Sequence, residues 1–473
     1  MLIPMTATAT RPSPSRSPAR VLAARRSANR RRQLLGDLLV VLVWASAAAS
    51  LGLYFASGLV ALTSAANVLT TLGIATGLVG SDLVLVMLVL ASRMPLIDRA
   101  VGHDRAMGLH RQLGKPAFYL LIAHGVLLTI GYSMSINSNV IAQTFAFLGS
   151  NDMILAYLSL GLFVAVIVTS LVAVKRRFPY EFWHVIHLLS YAAVLGALPH
   201  MLGQGQLLAS GWQRWYWIVL YVLAFGSIIG YRFVSPASAS LRHRMHVERV
   251  ERIAPDAFSI HLRGRNLDKL GMMGGQFLIW RFWTPRTWWH AHPISLSASP
   301  GKNSARVTIR IVGKGTRSLS AIPVGTPVSF SGPFGLFTDA VRSSRHVAII
   351  AAGIGITPVL SLIERLDLSV GDATVLVRAS SEDQVYLWDE LNNIKRQRGI
   401  KVYTSVGSRG RGTGGWMAAR DEARGVNMLS VFPHLAESDV FICGPDAWAQ
   451  LVEDDARARG VGASCIHREK FDW

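Results

Sequence analysis

The chain has 473 residues, of which 51% are hydrophobic and 16% are charged, and its formal net charge at pH 7 is +20. A soluble chain usually carries about 25% charged residues, so this composition excludes a fully soluble, a fibrous and a disordered protein. The length predicts roughly three domains. The cysteines are Cys443 and Cys465. Two thiols exclude a disulfide framework and an iron–sulfur cluster, which needs about four thiolates.

The two halves of the chain differ in charge. Up to Arg242 there are 19 basic and 6 acidic residues, whereas the remainder has 29 basic and 22 acidic residues. The first half is therefore apolar and almost free of acids, while the second half has the composition of ordinary soluble domains. Because the positive charge flanks apolar runs, we expect no nucleic-acid partner.

The first 33 residues contain eight arginines and no acidic residue. Such a segment is typical of a transit peptide, or of a disordered cytoplasmic tail whose Arg30–Arg32 holds the first membrane helix at its inner end. We favour the second interpretation and assign residues 1–33 to a disordered basic tail.

Six apolar runs follow, each long enough to cross about 30 Å of hydrocarbon as a helix. They lie near Leu34–Val60, Val68–Ala91, Leu113–Ser133, Met153–Val174, Trp183–Leu202 and Trp212–Phe233. The basic residues of the tail, of Arg93–Lys115, of Lys175–Arg177 and of Arg232–Arg244 all fall on one side of these runs. The pattern predicts an all-α six-helix transmembrane domain over residues 34–234, with both termini cytoplasmic. We expect it in a bacterial plasma membrane.

Histidines inside the runs point to function, because polar groups are costly in a membrane. His110 and His124 lie on or beside the third run, about 21 Å apart and about 40° off one face of the helix. His187 and His200 bracket the fifth run, which crosses in the same direction. We therefore expect His110 to meet His187 near the cytoplasmic side and His124 to meet His200 near the outer side.

Two facing histidines at each level suit the axial ligands of a bis-histidine heme, so the pattern predicts two stacked hemes. On an ideal helix His200 lies about 140° around from His187, and only a kink at Pro199 would redirect it. His184, one turn before His187, is a competing ligand. The alternative is that each histidine hydrogen-bonds to a neighbouring helix. Asp82, in the second run, has no assigned role.

The soluble half begins after Ser235–Ser240, which has the composition of a short linker. Short β-runs punctuated by glycine and proline then predict a small β-barrel over residues 243–340. These runs are Phe258–Leu262, Gln276–Trp280, Val307–Ile311 and Val328–Phe330.

Two motifs in the barrel suit a flavin nucleotide. In His292-Pro293-Ile294-Ser295-Leu296-Ser297, the two serines face the same way along a strand and can donate to a flavin edge or a phosphate. In Arg310-Ile311-Val312-Gly313-Lys314-Gly315-Thr316, the glycines let backbone N–H groups approach a pyrophosphate beside a hydroxyl and basic side chains. The alternative for either motif alone is a plain hairpin with a glycine turn.

Residues 343–473 predict an α/β doubly wound nucleotide-binding domain. The apolar strand His346–Ala352 enters Gly353-Ile354-Gly355-Ile356-Thr357-Pro358, which opens a helix running to about Leu366. A strand, a glycine-rich turn and a helix N-terminus form a nucleotide phosphate site. Further strands, Ala373–Val377 and Val440–Cys443, end at Arg378 and at Cys443-Gly444-Pro445, on the edge where such sheets bind ligands.

Basic residues at this edge suit a 2′-phosphate. Arg378 and Ser380, with Arg409 and Arg411 of a glycine-rich loop, favour NADPH over NADH, because guanidinium groups bind phosphate in a bidentate manner. The alternative is that these arginines are simply solvated.

The order of these features resembles the ferric reductase–NADPH oxidase family of membrane flavocytochromes b. Over roughly residues 34–473, two histidine pairs in six helices precede the motifs HPISLS, VGKGT, GIGITP and CGP and the tail Glu469-Lys470-Phe471. The resemblance implies a six-helix domain with two b-type hemes, a ferredoxin-reductase-like FAD barrel and an NADPH-binding fold.

The resemblance also implies a role for each motif. The heme ligands would be His110, His124, His187 and His200. FAD would be lined by His292, Pro293, Ile294, Ser295 and Ser297, and its pyrophosphate would contact Arg310, Gly313, Lys314, Gly315 and Thr316. The phosphates of NADPH would contact Gly353, Gly355, Thr357 and Pro358, and its nicotinamide would be flanked by Cys443, Gly444 and Pro445. The family often has Phe or Tyr where this chain has Ile294. Its terminal aromatic residue stacks on the flavin, and here either Phe471 or Trp473 would do so.

The implied activity is transmembrane electron transfer from NADPH, through FAD and two hemes, to an acceptor on the outer face. Oxygen, giving superoxide, and ferric iron are both compatible acceptors. Alternatively, the chain is a membrane-anchored electron-donor subunit that feeds a partner enzyme or a quinone. A heme carrier without turnover is a third possibility, against which the flavin and glycine motifs argue.

Overall fold

The computed structural model describes residues 18–149, 151–171, 180–203, 208, 210–410 and 415–469. Lys175–Arg177, Arg411, Phe471 and Trp473 lie outside these residues. The chain divides into two compact units, one formed by residues 34–237 and the other by residues 1–33 together with residues 238–473.

Helices build the first unit. Six helical spans of the described residues are long and apolar enough to cross a membrane, and they coincide with the six predicted runs. The helices are α1 (Pro18–Phe55), α2 (Ala65–Ala91), α3 (Pro95–Ala100), α4 (His103–Ser135), α5 (Val140–Phe147), α6 (Asn151–Ser170), α7 (Tyr180–Gly203) and α8 (Gly211–Ile228).

Small residues bring α2 and α4 close together. A Cβ atom on Gly73 would lie 2.9 Å from the Leu128 side chain, and one on Gly80 would lie 3.1 Å from Leu121. Small residues allow close backbone approach in membrane bundles. This contact sets the distance between α2 and the histidines of α4.

The prediction of a disordered tail over residues 1–33 is wrong for residues 18–33, which form the first turns of α1. The alanines, leucines and arginines there are strong helix formers, and no breaker separates them from the apolar run. Within its unit this segment is also held by side chains, since Arg25 pairs with Asp339 and Arg26 donates to the Ser343 carbonyl.

The predicted linker Ser235–Ser240 is also helical. A π-helical turn, Ile229–Val234, continues α8 directly into α9 (Ser235–His243). Proline lacks the N–H that continues a helical hydrogen-bond ladder. A local π-helical turn is one adjustment by which a helix accommodates proline, and Ile229–Val234 lies directly before Pro236.

The barrel domain consists of two three-stranded antiparallel sheets, ordered β1-β2-β5 and β4-β3-β6. Bridges from Leu296 to Val307 and from His246 to Pro327 join the sheets, so the predicted β-barrel is confirmed. Its elements are β1 (His246–Ala254), β2 (Ala257–Arg263), β3 (Phe277–Phe282), β4 (His292–Ser295), β5 (Ser304–Arg310), α10 (Lys314–Leu319) and β6 (Val328–Phe334).

The last domain is a five-stranded parallel sheet of order β11-β10-β7-β8-β9. Neighbouring residues of its central strand, Ile349 and Ile350, enter different apolar clusters, so both faces are covered as predicted for a doubly wound fold. Its elements are β7 (His346–Ala352), α11 (Ile356–Ile363), β8 (Ala373–Ala379), α12 (Trp388–Arg398), β9 (Lys401–Val406), α13 (Ala419–Ala423), α14 (Met428–Val431), β10 (Ser438–Cys443), α15 (Asp446–Ala458) and β11 (Ile466–Glu469).

The barrel and the parallel-sheet domain approach each other closely at two points. A Cβ atom on Gly274 would lie 1.9 Å from the carbonyl oxygen of Ser361. Arg306 donates to both carboxylate oxygens of Glu390 at 2.7 and 2.6 Å. These contacts fix the barrel motifs relative to the glycine turn after β7.

Candidate functional site

The four membrane histidines form two pairs of equal geometry. The ring centres of His110 and His187 lie 6.2 Å apart with planes at 63°, and those of His124 and His200 lie 6.2 Å apart at 64°. The structure therefore brings together the pairs expected from the sequence. Pro199 lies inside α7, and His200 faces His124 despite the offset of an ideal helix.

Backbone carbonyls of α2 orient the two histidines of α4. His110 Nδ1 lies 3.1 Å from the carbonyl oxygen of Met87, and His124 Nδ1 lies 2.8 Å from that of Gly73. A histidine that donates from one ring nitrogen presents the other as a ligand, and such a second contact fixes the ring. On both histidines Nε2 is thereby left for a metal.

The pair spacing fits a heme iron. Two imidazoles bound to one metal at about 2 Å, with ring centres about 1 Å further out, have centres about 6 Å apart, which matches the observed spacing at both levels. His200 Nδ1 is buried and accepts no hydrogen bond from the described residues. The competing ligand His184 lies beside Trp183, with ring centres 6.4 Å apart, and Trp183 also stacks on His187 at 5.1 Å.

The two barrel motifs meet in space although 12 residues of the chain separate them. A Cβ atom on Gly315 would lie 3.9 Å from Cε1 of His292. Strand β4 carries His292, Pro293 and Ile294 and is anchored by the indole N–H of Trp280, which donates to the Ile294 carbonyl at 2.9 Å. The contact between the motifs fits one ligand that touches both.

The serines of the first motif are less available than the sequence suggests. Ser295 and Ser297 are 2% and 0% exposed. Ser297 Oγ accepts hydrogen bonds from Thr308 Oγ1 at 2.7 Å and from Arg306 Nε at 3.1 Å. The expectation that the Ser297 hydroxyl faces a ligand is therefore not met, because the bridge that closes the barrel places it inside.

The second motif forms the start of α10. The N–H groups of Val312 and Gly313 donate to Thr316 Oγ1 at 3.0 and 3.2 Å, so the hydroxyl shapes the turn. The first amides of any helix have no partner within it. Those of Lys314 and Gly315 are the groups here that suit a phosphate.

Arg310, which precedes this turn, forms an ion pair. Its Nε donates to Asp256 Oδ2 at 2.8 Å, and the Tyr386 hydroxyl donates to the same carboxylate at 2.9 Å. Burial raises the pKa of Asp256, but the hydrogen bonds from Arg310 and Tyr386 outweigh it and lower the pKa. Arg310 thus forms an ion pair with Asp256 through Nε, and its pyrophosphate contact stays a prediction.

The glycine turn after β7 closes directly on the end of β10. A Cβ atom on Gly355 would lie 2.3 Å from the carbonyl oxygen of Cys443, and one on Gly444 would lie 2.7 Å from the ring of Trp448. Gly353 has φ of +53°, which favours glycine. Thr357 Oγ1 donates to the Ile354 carbonyl at 3.0 Å, and both Thr357 and Pro358 are buried. These two residues therefore support the conformation of the turn.

Comparison with known proteins identifies both halves. Residues 76–198 match the family described as ferric reductase like transmembrane component. Ferredoxin–NADP reductase B of Sorangium cellulosum is 30% identical over 170 residues, which are 34% of this chain and 68% of the relative. The chain therefore belongs to the ferredoxin–NADP reductase family and carries a ferric reductase-like transmembrane component.

Two further relatives match parts of the chain. A probable metalloreductase, AIM14, of Yarrowia lipolytica is 25% identical over 270 residues, which are 55% of this chain and 46% of the relative. The plasma membrane-associated coenzyme Q6 reductase PGA3 of Saccharomyces cerevisiae is 28% identical over 177 residues, which are 36% of this chain and 55% of the relative. The chain thus spans about half the length of these two curated relatives. With its six apolar spans, it is an integral membrane protein.

At the carboxyl edge of the five-stranded parallel sheet, backbone carbonyls engage the side chain of Arg378. Its guanidinium donates to the carbonyls of Ser405, at 3.2 Å, and Gly407, at 2.6 Å. Burial, then the charge of Arg409, lowers the pKa of Arg378. These carbonyls engage the terminal nitrogens, while Nε is buried with no hydrogen-bond partner among the described residues, so 2′-phosphate binding by Arg378 stays a prediction. Ser380 and Arg409 are exposed at this edge.

Cys443 lies at the end of β10, opposite Glu469 of β11 in the parallel register. It is 0% exposed, and burial, then the charge of Glu469, raises the pKa of its thiol. A neutral buried thiol is a poor nucleophile. The role that fits Cys443 is to form part of the wall beside Gly355.

This difference predicts selective labelling of the two cysteines. We expect a maleimide at neutral pH to modify the half-buried Cys465 in the native protein and to leave Cys443 unmodified, as measured by mass spectrometry of peptides. In denaturant both thiols should react. Equal native labelling of Cys443 and Cys465 would contradict the buried neutral thiol.

His292 predicts a pH dependence of stability. Burial, then the charge of His290, lowers the pKa of His292 to about 4, and its Nε2 is buried without a hydrogen-bond partner in the described residues. The unfolded chain binds a proton near 6.5. The stabilising contribution is therefore complete above pH 6.5 and is lost as pH falls towards 4. We expect the unfolding temperature of the detergent-solubilised protein to fall over this range.

The variant His292→Gln should flatten that pH profile, because glutamine does not titrate. His290→Gln is the matched control and should retain most of the slope. An unchanged slope in His292→Gln would show that another group controls the transition.

Asp82, which the sequence left without a role, ties three membrane helices together. It is 0% exposed, and its Oδ1 accepts hydrogen bonds from Ser46 Oγ of α1 at 2.8 Å and from the Tyr216 hydroxyl of α8 at 2.5 Å. A buried polar group in a membrane span is stabilised only by such partners. The network satisfies Oδ1 of Asp82, while Oδ2 is buried with no hydrogen-bond partner among the described residues.

Proposed function

We propose that this protein transfers electrons from cytoplasmic NADPH, through FAD and two b-type hemes, to an acceptor on the outer face. The observation that carries the proposal is the equal 6.2 Å spacing of two histidine pairs on α4 and α7. The histidines of α4 lie about 21 Å apart along the helix. Such a separation spans most of the hydrocarbon layer, which is about 30 Å thick.

His110 and His187 would hold the inner heme, and His124 and His200 the outer one. Residues of β4 and the first turn of α10 would hold FAD. When bound, FAD supplies the exchange between a hydride donor and one-electron acceptors. The chain itself contributes the carbonyls of Met87 and Gly73, which keep the α4 imidazoles in one orientation and so hold their ligating nitrogens in place.

The nucleotide would bind at the carboxyl edge of the parallel sheet. The glycine turn Gly353–Gly355 lets a phosphate approach the backbone and the N-terminus of α11, which favours anions. Strand β11 ends at Glu469, in parallel register with Cys443, at this same edge. Phe471 or Trp473 would there cover the flavin until the nicotinamide displaces it.

The acceptor is oxygen, giving superoxide, or ferric iron. The AIM14 relative is named a probable metalloreductase, which favours iron. Both are tested with purified protein and NADPH: superoxide formation in air indicates an oxidase, and reduction of a ferric chelate under argon indicates a metalloreductase.

An electron-donor subunit is the second candidate, since the PGA3 relative is named a coenzyme Q6 reductase. In this case the purified protein would reduce a soluble quinone faster than oxygen or ferric chelate.

The position of the termini is tested separately by protease accessibility in sealed vesicles, where a cytoplasmic C-terminus is protected in right-side-out preparations.

The decisive experiment is a reduced-minus-oxidised spectrum of the detergent-solubilised protein before and after anaerobic NADPH. We expect low-spin b-type heme bands that NADPH develops only when FAD is present. Absence of heme bands would overturn the electron-transfer proposal. Bands that dithionite reduces but NADPH plus FAD does not would overturn the proposed path from the reductase half.

A further inference from the structure

The edge of the parallel sheet opposite the glycine turn carries a second cluster of ligand-type side chains. His346, His434 and Glu437 place one ligand atom each within 4.8 Å of one another, and in the described part of the chain they are the one group of three His, Cys, Asp or Glu residues that meets this distance. The rings of His346 and His434 stack with centres 4.2 Å apart and planes at 13°.

We propose that these three residues bind a divalent transition metal of the zinc type. Two imidazole nitrogens and one carboxylate are a common donor set for Zn²⁺, with a fourth position left for water. Donors bound at about 2.1 Å stand about 3.4 Å apart, so small rotations of exposed side chains close the set around an ion. His434 and Glu437 are exposed and His346 is half-buried, which leaves an entry path.

The backbone under the cluster is fixed by the sheet. His346 begins β7 and is paired with Ser438, the first residue of β10. Ser438 Oγ donates to the His434 carbonyl at 2.7 Å, and the Glu437 N–H donates to the same carbonyl at 3.0 Å. All three ligands are therefore mounted on one hydrogen-bonded corner, and a bound ion would cross-link the start of β7 to the turn before β10.

Neighbouring charged groups are engaged elsewhere. Asp439, which follows Ser438, accepts from the Ser343 N–H at 2.7 Å and lies 2.8 Å from His467 Nε2. Arg345 pairs with Asp372 at 3.0 Å. Because Asp439 and Asp372 are engaged in these contacts, the carboxylate of Glu437 is the one available to the two imidazoles.

The site is distinct from the nucleotide edge. Strands β7 and β10 both run from this cluster to the glycine turn and to Cys443, and a seven-residue strand spans about 23 Å. We therefore expect metal binding to stabilise the parallel-sheet domain without taking part in electron transfer. This inference does not depend on the proposed function.

The test is a titration of the full chain, in detergent and without a polyhistidine tag, with ZnCl₂ and with CoCl₂. We expect one Zn²⁺ per chain by calorimetry and a higher unfolding temperature, because a ligand that binds only the folded state stabilises it. Co²⁺ bound in this set should give the visible absorption of a low-coordinate nitrogen and oxygen site.

The variants His434→Ala and Glu437→Gln should each weaken Zn²⁺ binding at least 10-fold, and neither should alter NADPH oxidation. His261→Ala is the matched control, because His261 also lies 3.1 Å from a carboxylate, that of Glu251, but beside Arg249 instead of a second histidine. Zn²⁺ affinity that is equal in all four proteins, or no binding by the parent chain, would overturn the proposal.

Discussion

Replacing Gly77 by alanine is expected to remove one of the two hemes and to stop electron transfer to the outer face. A Cβ atom at this position of α2 would lie 2.2 Å from Nδ1 of His124. That nitrogen is the one that donates to the Gly73 carbonyl at 2.8 Å. The methyl group therefore displaces the imidazole, and loss of such an orienting contact costs about 10- to 100-fold in metal affinity.

The measurement is heme content per chain together with the reduced-minus-oxidised spectrum. We expect one heme in Gly77→Ala, held by His110 and His187, and two in the parent protein. Flavin content and reduction of the flavin by NADPH should be unchanged, because the substitution lies in the membrane unit.

Gly52→Ala is the matched control. It also adds one methyl group to a membrane helix, but no atom of the described residues outside its own stretch of helix lies within 4 Å of the added carbon. It should therefore retain both hemes and full activity. Two hemes in Gly77→Ala would show that His124 is not an axial ligand, and a loss of heme in Gly52→Ala would show that α1 tolerates no added methyl group.

The sequence predicts the membrane half well because two simple signals coincide there. Apolar length alone defines the six spans, and the separation of histidines along α4 and α7 predicts which of them share a level. Neither signal predicts that the carbonyls of Met87 and Gly73 accept hydrogen bonds from the α4 histidines, because these bonds depend on the close packing of α2 against α4 through glycine. The glycines of α2 are the signal that would have indicated this contact.

Polar side chains of the reductase half are harder to predict, because a motif shows residue types but not their competing partners. Ser297 and Arg310 are ligand-type residues in the sequence, yet Thr308 and Asp256 engage them in the structure. Helix boundaries fail for a related reason. Residues 18–33 and Ser235–Ser240 have the composition of a tail and a linker, but both are continued by an adjoining helix that costs little to extend.

Replacing Gly355 by alanine is expected to reduce the rate of flavin reduction by NADPH about 100-fold. The added carbon would lie 2.3 Å from the Cys443 carbonyl oxygen, which is backbone of β10 and has no free rotation. The turn after β7 must therefore shift away from Cys443-Gly444-Pro445. A displacement of about 1 Å between bound reactants is enough to cost about 10²-fold in rate.

The experiment is stopped-flow reduction of the flavin under argon, with FAD and heme contents measured in parallel. FAD and both hemes should be retained, because the substitution removes none of the groups proposed to hold them, while overpacking should lower the stability of the sheet domain by about 1–3 kcal/mol. Gly462→Ala, where the nearest atom is 3.9 Å away, should keep the parent rate. If Gly355→Ala reduced the flavin at the parent rate, hydride donation would not depend on the contact between the glycine turn and β10. The nucleotide site would then have to lie elsewhere on the sheet.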